Sequence, residues 1–173
     1  MAVPQGLTLE HHRDLEGRER RPVVRRVLVA MLAGILLLGL FNLFGQRVDA
    51  SSAESSGARL EVSAPAKVRG GIFFQARFRI EADEEIRNAT LVLDPDWLED
   101  ITLNTVVPSP VGEASQDGSI ALELGRIPAG EEHRLYLHFQ VNPTALGTRS
   151  QDVDLYDGDR LLLSIDRDAI VWP

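Results

Sequence analysis

"GIFFQARFRIE", Gly71 to Glu81, alternates strictly between apolar and polar side chains. Ile72, Phe74, Ala76, Phe78 and Ile80 point one way. Phe73, Gln75, Arg77, Arg79 and Glu81 point the other. A period of two belongs to a β-strand with one buried and one wet face. The same pattern returns downstream. "NATLVLD" places Ala89, Leu91 and Leu93 together, and "SIALELG" does so with Ile120, Leu122 and Leu124. "HRLYLHFQV" puts Leu135, Leu137, Phe139 and Val141 inward, with Arg134, Tyr136, His138 and Gln140 outward. "DVDLY" and "RLLLSID" follow, and Asp157-Gly158 between them predicts a type I′ hairpin turn. Leu60–Val62 and Ile101–Val107 add two shorter strands, and Pro and Gly punctuate the intervals. Seven or eight short strands without a helix between them predict an all-β fold, an antiparallel β-sandwich, with a small closed barrel as the alternative.

Upstream the period changes. Val27 to Gly45 is free of charge, and Asn42 is its only strongly polar side chain. At ~1.5 Å per residue such a run spans a bilayer's hydrocarbon core, and it is apolar on every face. A transmembrane helix is therefore expected over 25–45. Arg18, Arg20, Arg21, Arg25 and Arg26 precede the run, whereas Arg47 and Asp49 follow it. Arginines on one side keep that side in the cytoplasm, so the N-terminus is expected inside and the C-terminal part outside. Val48 and Ala50 offer a cleavage site after Ala50. The charged lead and the apolar run are both longer than a cleaved signal peptide, with its core of about 7–15 residues, requires. The expectation is a retained signal-anchor in the plasma membrane, spanning once.

Charge divides along the same line. Residues 1–26 hold six arginines against four acids, and residues 46–173 hold twelve basic against twenty-two acidic side chains, a net of −10. So acidic an outer part excludes nucleic acid as a partner through bulk charge. There is no cysteine, so neither a disulfide nor a lipidated cysteine is available. The expected organisation is a basic, unstructured cytoplasmic tail at 1–24, the helix at 25–45, a flexible Ser/Ala/Gly linker at 46–58 and the sandwich at 59–173.

"LEVSAPAKVRGGIFFQARFRI" followed by "LGRIPAGEEHRLYLHFQVNP" resembles bacterial immunoglobulin-like extracytoplasmic domains. The shared features are an opening strand, Pro65, a glycine at 70 or 71 before a long second strand, and the Gly125–Ile127–Gly130 turn into a penultimate long strand. "EADEEIRNA" stands where the family carries a short Asn-Gly-like turn. The likeness covers residues 60–142 and implies an immunoglobulin-like sandwich. With the tail and anchor, the chain resembles single-pass membrane proteins of high-GC Gram-positive bacteria. No catalytic residue comes with that resemblance.

Motifs for chemistry are few. The sequence contains no P-loop, G-x-S-x-G or H-E-x-x-H. His133 and His138 are five apart on one strand and must face opposite ways. His11-His12 lacks further metal ligands. In "DVDLYDGD", counted from Asp152, an EF-hand register puts Tyr156 at position 5 and Gly158 at 7, so it fails. "EADEE" and "DPDW" would make a calcium site only if the fold brought them together. Trp97 and Trp172 would make a sugar-stacking platform only if both were exposed. Asn88-Ala-Thr matches a glycosylation acceptor, to which the resemblance to bacterial proteins gives little weight.

The expected function is therefore a non-catalytic, membrane-anchored display domain without cofactor or metal. It is expected to contact another membrane or envelope protein, as an accessory subunit of a membrane complex. The alternative is a cell-wall glycan-binding or calcium-dependent adhesion module. The expected protein-contact residues are Arg134, Tyr136 and His138, with the outward Phe73. In the helix, Ala30 and Gly34 form a small-xxx-small pair and Asn42 can hydrogen-bond to a second helix.

Overall fold

The computed structural model describes residues 21–41, 46–55 and 57–173. They belong to two compact units, 1–45 and 46–173. Among the described residues the first contains one helix, α1 (Arg21–Leu40). It starts four residues before the expected Arg25. Pro22 explains why: a proline in the first turn gives up only an N–H that has no intrahelical partner there. From Pro22 to Leu40 it is long and apolar enough to cross a membrane.

The second unit is built from strands: β1 (Val48–Glu54), β2 (Ala58–Pro65), β3 (Lys67–Arg69), β4 (Phe73–Ala82), β5 (Ile86–Leu93), β6 (Ile101–Val107), β7 (Gly112–Gln116), β8 (Ser119–Ile127), β9 (Glu132–Val141), β10 (Gly147–Ser150), β11 (Val153–Asp157), β12 (Arg160–Ile165) and β13 (Asp168–Trp172). One five-stranded sheet has the order β1-β2-β4-β9-β6, and a second has β12-β11-β5-β8-β7. Every pairing within them is antiparallel. In an immunoglobulin sandwich strands A, B, E and D form one sheet and C, F and G the other. Here β2, β4, β9 and β6 take the first order, and β5, β11 and β12 the second. The fold is thus immunoglobulin-like. The β7–β8 hairpin extends one sheet and β1 the other. A small third sheet, β10-β13-β3, holds a parallel pairing between β13 and β3.

The core follows from the alternation. Phe74, Ala76, Phe78 and Ile80 of β4 are buried, as are Leu135, Leu137, Phe139 and Val141 of β9. Leu91, Leu93, Leu122, Leu124, Val153 and Leu155 meet them from the second sheet. Trp97, in a 3-10 turn after β5, is fully buried, with its ring 5.8 Å from Phe78 and 5.4 Å from Phe139. Its indole N–H donates to the Asp152 carbonyl at 3.1 Å. Burying so large a ring in a partnered state is among the strongest single contributions a small core receives.

Three local expectations are corrected. The stretch 46–58 is not a flexible linker throughout, because Val48–Glu54 pairs with β2 residue for residue, from Val48↔Pro65 to Glu54↔Arg59. Its inward side chains are as small as Ser51 and Ala53, which leaves main-chain hydrogen bonding, and no hydrophobic alternation, as its signature. Secondly, Asp157 pairs with Arg160, so the two central turn residues are Gly158 and Asp159, one place further on. Gly158 has φ +59°, as the first centre of a type II′ turn requires. The type I′ turn lies elsewhere, at Asp117 (φ +52°) and Gly118 (φ +86°) between β7 and β8. Thirdly, the strands beyond the expected seven or eight are, β1 apart, short pieces: β3, β7, β10 and β13, the last at the centre of the small third sheet.

Candidate functional site

The longest strands, β4 and β9, lie side by side, and their register brings two outward rows into contact. Phe73 sits opposite Gln140, Gln75 opposite His138, Arg77 opposite Tyr136 and Arg79 opposite Arg134. β6 continues three of these rows, with Thr102 opposite Gln140, Thr105 opposite His138 and Val107 opposite Tyr136. Three of the expected contact residues, Arg134, Tyr136 and His138, are therefore on one face with Phe73. The same face includes Gln75, Arg77 and Val107, which were not among the expected contact residues.

The face has two halves with different chemistry. One is self-satisfied. Glu132 accepts from Arg79 at 2.9 Å and pairs closely with Arg134, and Arg79 also meets Glu81 at 2.6 Å. The Arg134 and Arg79 hydrogen bonds hold the Glu132 carboxyl down at about 2. Glu132 in turn raises both guanidiniums above their usual value. Arg134 is thus tied up in an ion-pair network, and its charge is locally compensated.

The other half is open. Arg77 lies over the Tyr136 ring at 5.8 Å, and among the described residues no carboxylate is within ion-pair reach of it. Gln75 Nε2 lies 3.0 Å from His138 Nε2. Phe73 is 64% exposed and Val107 48% exposed, values that put both rings and methyls in water. A solvated cation on an aromatic, flanked by exposed apolar groups, offers the side-chain types in which interface energy concentrates. Alternation alone had already pointed Gln75 and Arg77 outward. Their proximity to Tyr136 needed the strand pairing.

Elsewhere the expected features separate. His133 faces the interior opposite Ile80, and burial lowers its pKa, whereas His138 faces out. "EADEE" and "DPDW" fall at opposite ends of β5, so the fold does not unite them. Asp94 and Asp96 instead accept from the Ser150 hydroxyl and N–H, at 2.9 and 3.0 Å. Among the described residues no group of three or more acidic, His or Cys side chains is placed to hold a metal ion. Trp97 is buried, which removes it from any sugar platform with Trp172. The Arg167 guanidinium, itself buried, covers the Trp97 ring at 5.6 Å and donates to the Ala64 carbonyl at 3.1 Å. Ala30 and Gly34 lie one helical turn apart on α1, and Asn42 lies outside the described residues.

No protein-family model matches the chain, and no curated protein matches it. Solved structures do. A CARDB domain from Pyrococcus furiosus, solved with di-metal ions, is 13% identical and covers 69% of this chain and 98% of its own, with a TM-score of 0.39. CaCohA2 from Clostridium acetobutylicum is 14% identical over 73% of this chain and 92% of its own, with a TM-score of 0.43. A von Willebrand factor type A structure from Catenulispora acidiphila is 18% identical over 52% of this chain and 24% of its own, with a TM-score of 0.37. At these values the likenesses carry no ligand or activity over to this chain. What is established is an antiparallel, immunoglobulin-like β-sandwich preceded by a helix able to cross a membrane.

Proposed function

We propose that this chain is a single-pass membrane protein of the plasma membrane that displays its sandwich outside the cell as a non-catalytic, protein-binding module. The anchor reading rests on the length and apolarity of α1, and the orientation on the arginines that precede it. The observation that carries the binding reading is the open half of the β4–β9 face, with Arg77 stacked on Tyr136 between exposed Phe73 and Val107. Its partner is a second envelope or membrane protein presenting a carboxylate to Arg77 and an apolar surface to Phe73. Arg134 acts there as a positioning residue, because Glu132 already holds its charge.

A photo-crosslinking amino acid at Phe73 tests this in intact cells. The expected result is a discrete adduct to one protein, lost when Arg77→Ala is added. An adduct pattern no different from that of a probe at exposed Glu54, on the edge strand β1, overturns the reading.

A further inference from the structure

The outer face of the second sheet carries a separate feature. β5 departs from regular pairing with β8 around Ala89, opposite Gly125, whose φ is +76°. Ala89 turns into the core and Gly125 has no side chain, so β8 offers nothing here to fill the space beside Val111. A hollow of about 310 Å³ results, lined by Asn88, Thr90, Glu123 and the 78%-exposed Val111. A second hollow of about 290 Å³ adjoins it, because Thr90 lines both, and it continues past Val92 and Tyr156 to Asp159. Side by side across β8, β5 and β11, with Thr90 between them, the two hollows make a shallow trough.

The trough is braced at the β11–β12 turn. The Asp157 carboxylate accepts the Arg87 and Asn88 N–H groups at 3.0 and 2.9 Å, and the Gly158 N–H donates to the Asn88 carbonyl at 2.9 Å. These bonds fix the β11–β12 turn against the irregular part of β5. At the other end Gly112 leaves room for the Glu123 carboxylate, whose Oε2 would lie 2.5 Å from a Cβ there. A site needs such support to keep its side chains in place before a ligand arrives.

The lining chemistry selects the ligand. Glu123 and Asp159 only accept hydrogen bonds when ionised, and Asn88 and Thr90 both accept and donate. The lining carries no lysine or arginine among the described residues, so an anionic ligand is repelled. Beside these polar groups lie the Tyr156 ring, Val92 and Val111. A pyranose matches that mixture: its hydroxyls supply donors and its C–H faces cover an aromatic or aliphatic wall. We propose that this trough is a binding site for a neutral oligosaccharide, independent of the β4–β9 face.

The test uses the full chain in detergent micelles, titrated calorimetrically with chitotetraose and with cellotetraose. The expected result is saturable binding of at least one of them, weakened by about tenfold or more in Asn88→Ala and in Tyr156→Ala. Glu54→Gln, on the far sheet, should bind as wild type, and equal melting temperatures for all variants show that the fold is intact. Should Tyr156→Ala melt early, Asn88→Ala alone decides, since its backbone contacts to Asp157 and Gly158 survive the substitution. Absence of saturation by either sugar at millimolar concentration overturns the proposal, as does binding that the Asn88 and Tyr156 variants leave unchanged. Binding of tetralysine at the same site in place of both sugars overturns it too, because the trough would then be an acidic surface reading charge. None of these outcomes bears on crosslinking from Phe73, so the two sites stand or fall separately.

Discussion

Phe78 and Arg77 are neighbours in sequence and face opposite sides of one sheet, which makes them a test of the register. Phe78 is fully buried and its ring lies 5.8 Å from Trp97. Phe78→Ala removes the phenyl group from the centre of the sandwich, where Trp97, Phe139 and Ile80 are themselves buried and cannot all move in to fill the gap. Lost transfer energy and the residual cavity together cost about 3–5 kcal/mol. A domain of this size holds about 5–15 kcal/mol in total, so the melting temperature should fall by about 10–20 °C. Near-ultraviolet circular dichroism of the full chain in detergent reads this through Trp97, whose buried ring loses its fixed surroundings on unfolding. Arg77→Ala exposes no cavity and removes one solvated stacking contact, a loss of about 0.5–1 kcal/mol. Equal effects at 77 and 78 would falsify the strand register, since a slip of one residue exchanges every inward and outward side chain.

Further outcomes follow from the same geometry. The Glu132 carboxyl lies at about 2 in the folded chain against 4.5 ordinarily, so its contribution is present above about pH 4.5 and disappears as pH falls towards 2; Glu132→Gln should flatten that part of a melting-temperature profile. His133 has its pKa lowered by burial, so the folded state favours the neutral ring, and stability should be fully present above the ordinary value of 6.5 and decline below it. His133→Leu should remove that decline in the same profile, and an unchanged slope would place the sensitivity in another group. Gly118→Ala meets a φ of +86° in the β7–β8 turn and should destabilise by about 1–2 kcal/mol in urea unfolding, whereas Asp159→Ala, at a centre without positive φ, should cost much less.

Strong alternation made the interior legible. β4, β5, β8 and β9 each carry large apolar residues at every second place, and burial follows them. β1 left no such trace because Ser and Ala occupy both its faces, and what places it is seven main-chain pairings with β2. Asp117-Gly118 is the dipeptide a type I′ turn requires, and it went unread because short β7 offers no alternation before it. The contact face was half legible. Single strands show Tyr136 and His138 pointing outward, but the Arg77–Tyr136 stack and the Glu132 bridge between Arg79 and Arg134 exist only across paired strands. The trough was not legible at all, since it arises from an irregular pairing and two glycines.

The proposed topology is a sandwich held outside the cell by an uncleaved helix, and the chain's lack of cysteine allows a direct measurement. Single cysteines are placed at Thr8 and at Ser164, an exposed position on β12. Intact cells are treated with a membrane-impermeant maleimide, and the full-length chain is then followed in the membrane fraction. The expected result is labelling of Ser164→Cys in whole cells, labelling of Thr8→Cys only after lysis, and both chains at full length in the membrane. The reverse labelling pattern, or a mature chain that begins at Ser51, contradicts it.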